Sequence, residues 1–287
     1  MDTALMDIPL FQVDAFTDRP FAGNPAAVCP LESWLPEALM QSIAAENNLS
    51  ETAFLVRVST HGLSESGTCE YELRWFTPTT EVDLCGHATL ASGHVVLNRL
   101  DPDVPSVSFS TRSGVLQVER DTTGVLRMQL PADPRSPIGP DQALRKSLQT
   151  ILGVEPRTVL GGSTWIAVLE SARDVVDVQP DLAALAAMAT PYLNVTAPGE
   201  PDSGVDFVSR YFAPGAGIDE DPVTGSAHCA LTPYWAARLG KPRLQARQVS
   251  SRGGELDCEL EGDTVVIRGS AVEVLSGTLR LPAPIGR

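Results

Sequence analysis

The sequence predicts an α+β fold that is built from two similar halves. Two strand-like motifs of the first half recur in the second half, in the same order and at nearly the same spacing. Residues 71–78 (YELRWFTP) are echoed by residues 207–214 (FVSRYFAP), and residues 110–119 (STRSGVLQVE) by residues 250–259 (SSRGGELDCE). Chance similarity of short strand motifs is the alternative, but two ordered echoes at nearly one offset favour a duplication.

Hydrophobic periodicity divides each half into strands and helices. Alternating apolar residues predict half-buried strands at residues 70–76 and 115–119, and residues 277–281 form a strand-like run without an assigned partner. Helical patterns cover residues 35–47, 88–100, 141–152 and 226–239. The last two patterns stop at Gly153 and Gly240, which suit a helix end. Strands in hairpins mixed with a few helices define the α+β class.

The two halves meet in a proline-rich segment. Four prolines between residues 130 and 140 interrupt any regular element. We therefore predict an N-terminal domain of residues 1–131 and a C-terminal domain of residues 132–287.

The chain is acidic, which limits its partners. Its 287 residues carry a formal net charge of -15 at pH 7, so nucleic acid and anionic membranes would be repelled. The N-terminal segment contains Asp2 and Asp7 without a basic stretch, which is unlike a secretory signal. No apolar run approaches the ~20 residues that span a bilayer. We therefore expect a cytoplasmic protein that acts on a small molecule.

The cysteines do not form a disulfide or metal pattern. They are odd in number, scattered and without a CxxC pair: Cys29, Cys69, Cys85, Cys229 and Cys258. This pattern disfavours a disulfide framework and a zinc site, and indicates reduced thiols in the core.

A first candidate site lies at residues 47–52 (NNLSET), between a predicted helix and an apolar strand. The carboxylate of Glu51 is flanked there by the polar side chains of Asn48, Ser50 and Thr52, which suits a position in a cleft. The alternative is a solvated loop in which Glu51 points outward, and spacing alone favours that alternative.

A second candidate site is the small-residue turn at residues 83–89 (DLCGHAT). Gly86 permits close backbone approach, and the helix that follows presents free N–H groups that can bind an anion. Cys85 is either a thiolate activated by the helix start or an inert buried thiol. His87 is either a proton shuttle and anion donor or a structural histidine.

A third candidate site is residues 219–228 (DEDPVTGSAH), the counterpart of the second turn. Three acids in a row usually form a solvated turn, but here they lead into a helix start at Gly225 and Ser226. If the halves pack about a pseudo-twofold axis, both helix starts face one cleft, a favoured place for a ligand. Asp221, His87 and Glu51 would then surround one anionic substrate.

The order of these motifs is similar to that of the PhzF-type (phenazine biosynthesis-like) isomerase family, within the diaminopimelate epimerase-like superfamily. The resemblance extends from residue 9 to residue 281. The matching segments are residues 11–16 (FQVDAF), 21–28 (FAGNPAAV), 48–52 (NLSET), 76–78 (FTP), 86–87 (GH) and 220–227 (EDPVTGSA).

The resemblance implies a fold and an assembly. Each half would be a domain with a curled, mostly antiparallel sheet around a central helix, and the active site would lie in the cleft between the domains. The last strand, at about residues 277–287, would return to the N-terminal domain. Family members commonly form homodimers and use no metal or cofactor.

The resemblance also implies roles for the candidate residues. Glu51 would be the acid/base that moves a proton on a small carboxylate-bearing substrate, and His87 and Asp221 would flank that substrate. The substrate would be bound by Ser50, Gly86, Gly225 and Ser226.

A proton shuttle of this kind is chemically reasonable. A carboxylate with an ordinary pKa of ~4.3 is a weak base toward carbon, but burial or a neighbouring acid raises such a pKa. General acid–base catalysis contributes about 10²–10⁴-fold, and helix-start amides can stabilise the enolate-like charge that develops.

Other activities remain as alternatives. Racemases and epimerases of the superfamily use two facing thiols, and Cys85 resembles the first, but Pro222 and Val223 stand where the second is expected. A two-thiol mechanism is therefore disfavoured, and Cys85 is interpreted as a packing residue. The sequence lacks the GxSxG motif of hydrolases and the GxGxxG motif of dinucleotide-binding proteins. An amino-acid epimerase or racemase, a lyase, and a binding protein without catalysis are the remaining alternatives.

Overall fold

The computed structural model describes residues 5–58, 68–138 and 141–282, and the chain divides into two compact units. Unit 1 comprises Met1–Phe21, Pro25–Met128 and Ser270–Arg287, and unit 2 comprises Ala22–Asn24 and Gln129–Gly269. The main division lies close to the boundary that the sequence predicts after residue 131. The chain returns to unit 1 at Ser270, earlier than the predicted 277–287 strand. Gly139 and Pro140, in the predicted junction, lie outside the described residues.

Unit 1 holds most of the first eight strands, the last strand and two helices; Asn24 of β2 and Gln129–Pro131 of β8 belong to unit 2. The strands are β1 (Leu5–Ala15), β2 (Asn24–Leu31), β3 (Glu51–Arg57), β4 (Cys69–Phe76), β5 (Glu81–Val82), β6 (Ser106–Thr111), β7 (Gly114–Arg120), β8 (Leu126–Pro131) and β17 (Ala271–Pro282). The helices are α1 (Glu37–Asn47) and α2 (Gly86–Val95), and α2 continues as a π-helical turn (Val96–Leu100).

Most strand pairs of unit 1 are antiparallel. Among the strand pairs of this unit whose register the structure gives, two are parallel: β2 pairs with β3, and β4 pairs with β6. β17 pairs antiparallel with β1 along its whole length, from Leu5 opposite Pro282 to Ala15 opposite Ala271. This pairing supplies the partner that the periodicity of residues 277–281 does not reveal.

Two sets of contacts form the interior of unit 1. On one face of the sheet, α1 covers an apolar cluster that includes Met40, Phe54 and Phe76. The rings of Phe54 and Phe76 meet edge to face, with their centroids 5.6 Å apart. α2 is instead buried from Gly86 to Gly93, on every side. A helix without a polar face belongs in the centre of a domain, which explains why its sequence shows little amphipathic periodicity.

Unit 2 contains the remaining strands and four helices. The strands are β9 (Thr158–Leu160), β10 (Trp165–Val168), β11 (Leu193–Pro198), β12 (Phe207–Ala213), β13 (Ile218–Asp221), β14 (Arg243–Gln248), β15 (Gly254–Glu261) and β16 (Thr264–Gly269). The helices are α3 (Gln142–Leu152), α4 (Ala172–Asp177), α5 (Leu182–Ala186) and α6 (Gly225–Leu239), with a short 3₁₀ turn (Pro214–Ala216).

The strand β11 separates the two interior layers of unit 2. Its odd-numbered residues Leu193, Val195 and Ala197 belong to the apolar cluster that includes residues of α3, α4 and α5. Its residue Thr196 points to the opposite face, where the hydroxyl accepts a 3.0 Å hydrogen bond from Nε1 of Trp235 on α6. Successive side chains of a strand alternate between faces, so one strand supplies both layers.

The repeated motifs of the sequence form the same local structure in each unit. Arg74 of β4 pairs with Glu81 of β5 (Nε to Oε1, 2.7 Å), and Arg210 of β12 pairs with Glu220 of β13 (Nε to Oε1, 2.7 Å). Each guanidinium also lies over the ring of the phenylalanine two residues later, at 5.2 and 4.9 Å. In both units the motif strand pairs antiparallel with the strand before it and parallel with the strand after the buried helix. The repetition of contacts supports a duplication.

The predicted helices are present, with small differences at their starts. The helix predicted at residues 35–47 begins at Glu37 because Pro36 occupies its N-cap. The helix predicted at residues 88–100 begins at Gly86, and its last turn is π-helical. Asp141 caps α3 by accepting a hydrogen bond from the N–H of Leu144. Among the described residues, no helix is both long and apolar enough to cross a membrane.

The packing of α2 against β7 gives a first testable prediction. A Cβ at Gly93 would lie 2.5 Å from Cγ1 and 2.8 Å from Cβ of Val118, so we expect Gly93→Ala to lower the free energy of unfolding in urea. Overpacking of this kind costs about 1–3 kcal/mol, which exceeds the ~1 kcal/mol that alanine gains over glycine in a helix.

The control is Gly277→Ala, because a Cβ at that position meets nothing within 4 Å. Adding Val118→Ala to Gly93→Ala should recover part of the loss. A Gly93→Ala protein as stable as the natural protein would show that helix and strand do not pack this closely.

Candidate active site

Glu51 is placed by the end of a helix and the start of a strand. Asn48 adopts the left-handed conformation (φ 49°) that ends α1, which asparagine tolerates, and its N–H bonds to the carbonyl of Ala44. Glu51 then opens β3, where it lies opposite Ala26 of β2. Its side chain is only 13% exposed, so the outward-pointing alternative of the sequence analysis is not what the structure shows. Ser50, which is partly buried, directly precedes it.

His87 lies between the Glu51 carboxylate and the Cys85 thiol at the start of α2. Its Nε2 is 3.0 Å from Oε2 of Glu51, and its Nδ1 is 3.5 Å from Sγ of Cys85. The side chain of His87 is 4% exposed, and Gly86 beside it is buried. Cys85, which the sequence indicates is a packing residue, also contacts the imidazole through its thiol.

The surroundings of His87 favour its charged form. Burial alone would lower the pKa of His87, but the charge of the Glu51 carboxylate and the hydrogen bonds of the ring to Glu51 and Cys85 raise this pKa well above the ordinary value. Burial, and then the charge of Glu51, raise the pKa of Cys85 to about 11. The thiol is therefore protonated at neutral pH, which disfavours the activated thiolate that the helix start suggests.

Glu51, Cys85 and His87 also form a cluster of potential metal ligands, the one group of this kind within the described part of the chain. One ligand atom from each of Glu51, Cys85 and His87 lies within 4.8 Å of the others. However, the carboxylate faces Nε2 of the imidazole and the thiol faces Nδ1. Since one metal ion binds one nitrogen of a ring, these groups do not converge on a common metal position. The arrangement suits proton transfer better than metal binding.

Unit 2 contains Asp221 in a network of hydrogen bonds. Asn24 donates from Nδ2 to Oδ1 of Asp221 (2.8 Å) and to the carbonyl of Val223 (2.9 Å). The hydroxyl of Thr224 donates to Oδ2 of the same carboxylate. Gln248 donates to the carbonyl of Asp221 (2.7 Å) and accepts from the N–H of Thr224 (2.9 Å). This network fixes the carboxylate at the entrance of α6.

The start of α6 presents N–H groups as the start of α2 does. Gly225 is buried, Ser226 is exposed, and no side chain caps the helix N-terminus among the described residues. One turn later, Nδ1 of His228 lies 2.8 Å from the carbonyl of Thr224, and burial lowers the pKa of His228 to about 4. His228 is therefore a neutral structural residue. The helix start remains open to an anion.

The structure distributes the predicted site residues over both units. Ser50, Glu51, Gly86 and His87 belong to unit 1, and Asp221, Gly225 and Ser226 belong to unit 2. Within unit 1 Glu51 and His87 are in contact, and within unit 2 Asp221 ends β13, four residues before α6 begins at Gly225.

Three residues that support the unit 2 site have no role predicted from the sequence: Asn24, Gln248 and Arg252. Asn24 lies in the motif at residues 21–28, so the family resemblance of that motif could have identified it from the sequence. Arg252 lies in a repeated strand motif, and it holds the segment before Asn24 by donating to the carbonyls of Gly23 (2.8 Å) and Ala22 (3.0 Å). Gln248 has no recognisable signal in the sequence.

Comparison with known proteins gives consistent matches over nearly the whole chain. Residues 13–277 match the family model for phenazine biosynthesis-like proteins. A protein of Pseudomonas aeruginosa described as an uncharacterized isomerase is 46% identical over 276 residues, which cover 96% of this chain and 100% of that protein. A crystal structure of a PhzF-family phenazine biosynthesis protein from Enterococcus faecalis is 43% identical, with a TM-score of 0.84, and covers 96% of this chain and 100% of its own.

A more distant match concerns the fold alone. The crystal structure of a hydroxyproline epimerase from Agrobacterium vitis is 11% identical, with a TM-score of 0.57, and the match covers 98% of this chain and 94% of the epimerase chain. The chain therefore has an epimerase-like fold, with which its mixed sheet and its helices are consistent.

The network around Asp221 generates the second testable prediction. Asn24→Ala removes a donor from a fully buried position, and leaving buried partners unsatisfied costs about 1–3 kcal/mol. In a double-mutant cycle with Asp221→Ala, followed by urea unfolding, we expect a coupling free energy above ~0.5 kcal/mol. The control cycle pairs Asn24→Ala with Asp121→Ala, whose carboxylate bonds only within its own turn among the described residues. Additive effects in both cycles would contradict the direct contact.

Proposed function

The chain belongs to the phenazine biosynthesis-like (PhzF-type) protein family, and on this premise we propose that it is an isomerase that moves a proton on a small carboxylate-bearing substrate with Glu51 as acid/base. The observation that supports this most directly is the 3.0 Å contact between the Glu51 carboxylate and the His87 imidazole, both of which are largely buried. The full-length match to a protein described as an isomerase supports the reaction class.

The pair can supply both halves of an acid–base reaction. The Glu51 carboxylate takes a proton from a carbon next to a carbonyl or double bond, and it returns the proton to another carbon or to the other face. The neighbouring His87 is held in its charged form, so it can stabilise the anion that develops or donate a proton to it. Every proton that leaves the substrate is returned, so the reaction needs no oxidant or co-reactant.

The substrate carboxylate is assigned to the helix starts. Gly86 of α2, together with Gly225 and Ser226 of α6, offers N–H groups where the helix dipole favours negative charge. We assign Ser50 to the polar groups around the substrate, and Asp221, which Asn24 and Thr224 hold in place, to orienting its polar substituent.

The proposal includes no metal or cofactor, because Glu51 and His87 account for the proton transfer by themselves. It also includes a homodimer, which rests on the family resemblance, and the cytoplasmic location expected from the sequence.

Glu51→Gln tests the proposed base. The amide keeps the shape of the carboxylate but cannot accept a proton, so we expect the rate to fall by about 10²–10⁴-fold or more. The assay follows deuterium incorporation by NMR in deuterated buffer, first with trans-2,3-dihydro-3-hydroxyanthranilate and then with a panel of cyclic and amino carboxylates. Glu46→Gln, at an exposed position of α1, is the matched control and should keep full activity.

Each outcome of this experiment separates the alternatives. Double-bond migration that depends on Glu51 supports the proposal. Deuterium that enters at a stereocentre without migration indicates an epimerase, and tight binding of a ligand without exchange indicates a binding protein. Equal activity of Glu51→Gln and the natural protein would remove Glu51 from the mechanism.

The charge of His87 predicts the alkaline limit of activity. Because its pKa in the folded protein is raised well above ~6.5, the imidazolium persists through neutral pH and is lost as the pH rises through the raised value. We expect the rate to be level from about pH 6.5 to neutrality and to fall at higher pH. NMR titration of the His87 ring should give the same midpoint, and His87→Gln should abolish this limb. A ring that is already neutral at pH 7 would contradict the ion pair.

A further inference from the structure

Cys85 occupies the N-cap of α2, where its backbone is held by the first turn of the helix. The backbone is extended (φ -145°, ψ 108°), and the carbonyl accepts two hydrogen bonds from Thr89, one from the N–H (3.1 Å) and one from the hydroxyl (2.6 Å). The residue is 6% exposed. Because the backbone is fixed and the side chain is enclosed, the thiol has little freedom to move.

The thiol lies beside the imidazole of His87, two residues later in the chain. Its Sγ is 3.5 Å from Nδ1, and on the other side of the ring Nε2 is 3.0 Å from Oε2 of Glu51. The ring therefore has a thiol at one nitrogen and a carboxylate at the other. Rotation of the ring would break both contacts, so the two partners together define its orientation.

A thiol is a suitable partner for a ring that changes its charge. The imidazolium has two N–H donors, whereas the neutral ring has one donor and one acceptor. A protonated thiol accepts weakly through sulfur and donates weakly through its S–H. Burial, and then the charge of Glu51, raise the pKa of Cys85 to about 11, so the thiol keeps its proton at neutral pH. It can therefore stay bonded to Nδ1 of His87 whether or not that nitrogen carries a proton.

His228, near the start of α6, shows the opposite case. Its Nδ1 lies 2.8 Å from the carbonyl of Thr224, and the residue is fully buried. A carbonyl only accepts, so it requires a proton on Nδ1 and permits one of the two neutral tautomers. Burial lowers the pKa of His228 to about 4, which keeps that ring neutral. The carbonyl suits a structural histidine, whereas the thiol of Cys85 leaves all protonation states of His87 open.

We propose that Cys85 is a positioning residue for the reaction: its thiol holds the His87 ring with Nε2 directed at Glu51, and it keeps Nδ1 bonded while the ring gains and loses a proton. The part of His87 in the reaction rests on the proposed function, whereas the hold on the ring does not. Cys85 acts through His87, and no bond to its sulfur forms or breaks apart from the hydrogen bond.

Three variants separate the hydrogen bond from the space that the sulfur fills. Cys85→Ala removes the thiol, and Cys85→Ser keeps a group that both donates and accepts. Cys229→Ala is the matched control, because Cys229 lies near the start of α6 and is also 6% exposed, but its thiol lies beside the carbonyl of Gly225 (3.8 Å). Urea unfolding of each variant establishes that it folds.

NMR of the His87 ring in nitrogen-15-labelled protein tests the hold on the ring and needs no substrate. In the natural protein and in Cys229→Ala, we expect both ring nitrogens to be protonated at pH 7 and the ring protons to show one orientation. In Cys85→Ala the ring orientation should become averaged. The midpoint of the ring titration, which reports the pKa of His87, should fall, because the hydrogen bond to Cys85 favours the charged form. Cys85→Ser should restore most of both properties.

The deuterium-exchange assay tests the consequence for the reaction. We expect Cys85→Ala to lower kcat about tenfold, the factor that corresponds to one hydrogen bond, with little change in KM because the thiol holds the ring and not the substrate. Cys85→Ser should recover most of the rate, and Cys229→Ala should keep it. In a His87→Gln background, Cys85→Ala should cause no further loss, because the thiol acts through the imidazole.

The two measurements distinguish this inference from the proposed function. If no protein exchanges deuterium into any substrate, the proposed function fails, and the ring spectra still decide whether Cys85 holds His87. An unchanged ring in Cys85→Ala overturns the inference, as does a natural kcat in that variant. A loss that Cys85→Ser or Cys229→Ala shares in full, or an equal loss in the His87→Gln background, would assign the effect to packing and also overturn it.

Discussion

Both units depend on the burial of one helix in the centre of a sheet. A helix that is enclosed on all sides must be apolar or small along most of its length, and α2 shows this composition from Ala88 to Gly93. Burial also leaves the first N–H groups of the helix at an interior position where no side chain of the described chain caps them. The constraint that builds the core therefore also creates the two places where an anion is favoured. The candidate catalytic residues lie beside these places because the chain enters each central helix there.

The two helix starts have acquired different chemistry. At α2 the entering chain contributes Cys85 and His87, and β3 brings Glu51, so the groups form an acid–base series with the imidazole in the middle. At α6 the acidic residue Asp221 precedes the helix in the chain, and its carboxylate is held by the amide of Asn24 and the hydroxyl of Thr224. The repeated local structure thus brings a carboxylate, an imidazole and a thiol together in one unit and holds a single carboxylate in the other. The Arg–Glu pair beside each start remains the same in both, which indicates that it serves the scaffold.

Local patterns in the sequence predict much of the fold and less of the site. The four predicted helices are present because apolar periodicity and end signals such as Gly153 and Gly240 are local properties. The motif residues Glu51, His87 and Asp221 also stand out locally. What the sequence does not reveal is contact: Asn24 and Asp221 are 197 positions apart, and β1 and β17 lie near opposite ends of the chain. The contact of Glu51 with His87 likewise joins β3 to α2, which no single segment determines.

The pairing of β1 with β17 has a consequence for how the protein is made. β1 pairs with both β2 and β17. Translation runs from the N-terminus, so β2 follows β1 closely, whereas β17 is made after all the other strands. Unit 2 lies between them and has nearly all of its strands available earlier. Its three N-terminal residues, Ala22–Asn24, are present from the start. All strands of unit 2 are therefore made before unit 1 is complete, because unit 1 still needs β17. Until then β1 lacks its partner on the β17 side, and an unpaired strand edge is prone to pair with other chains.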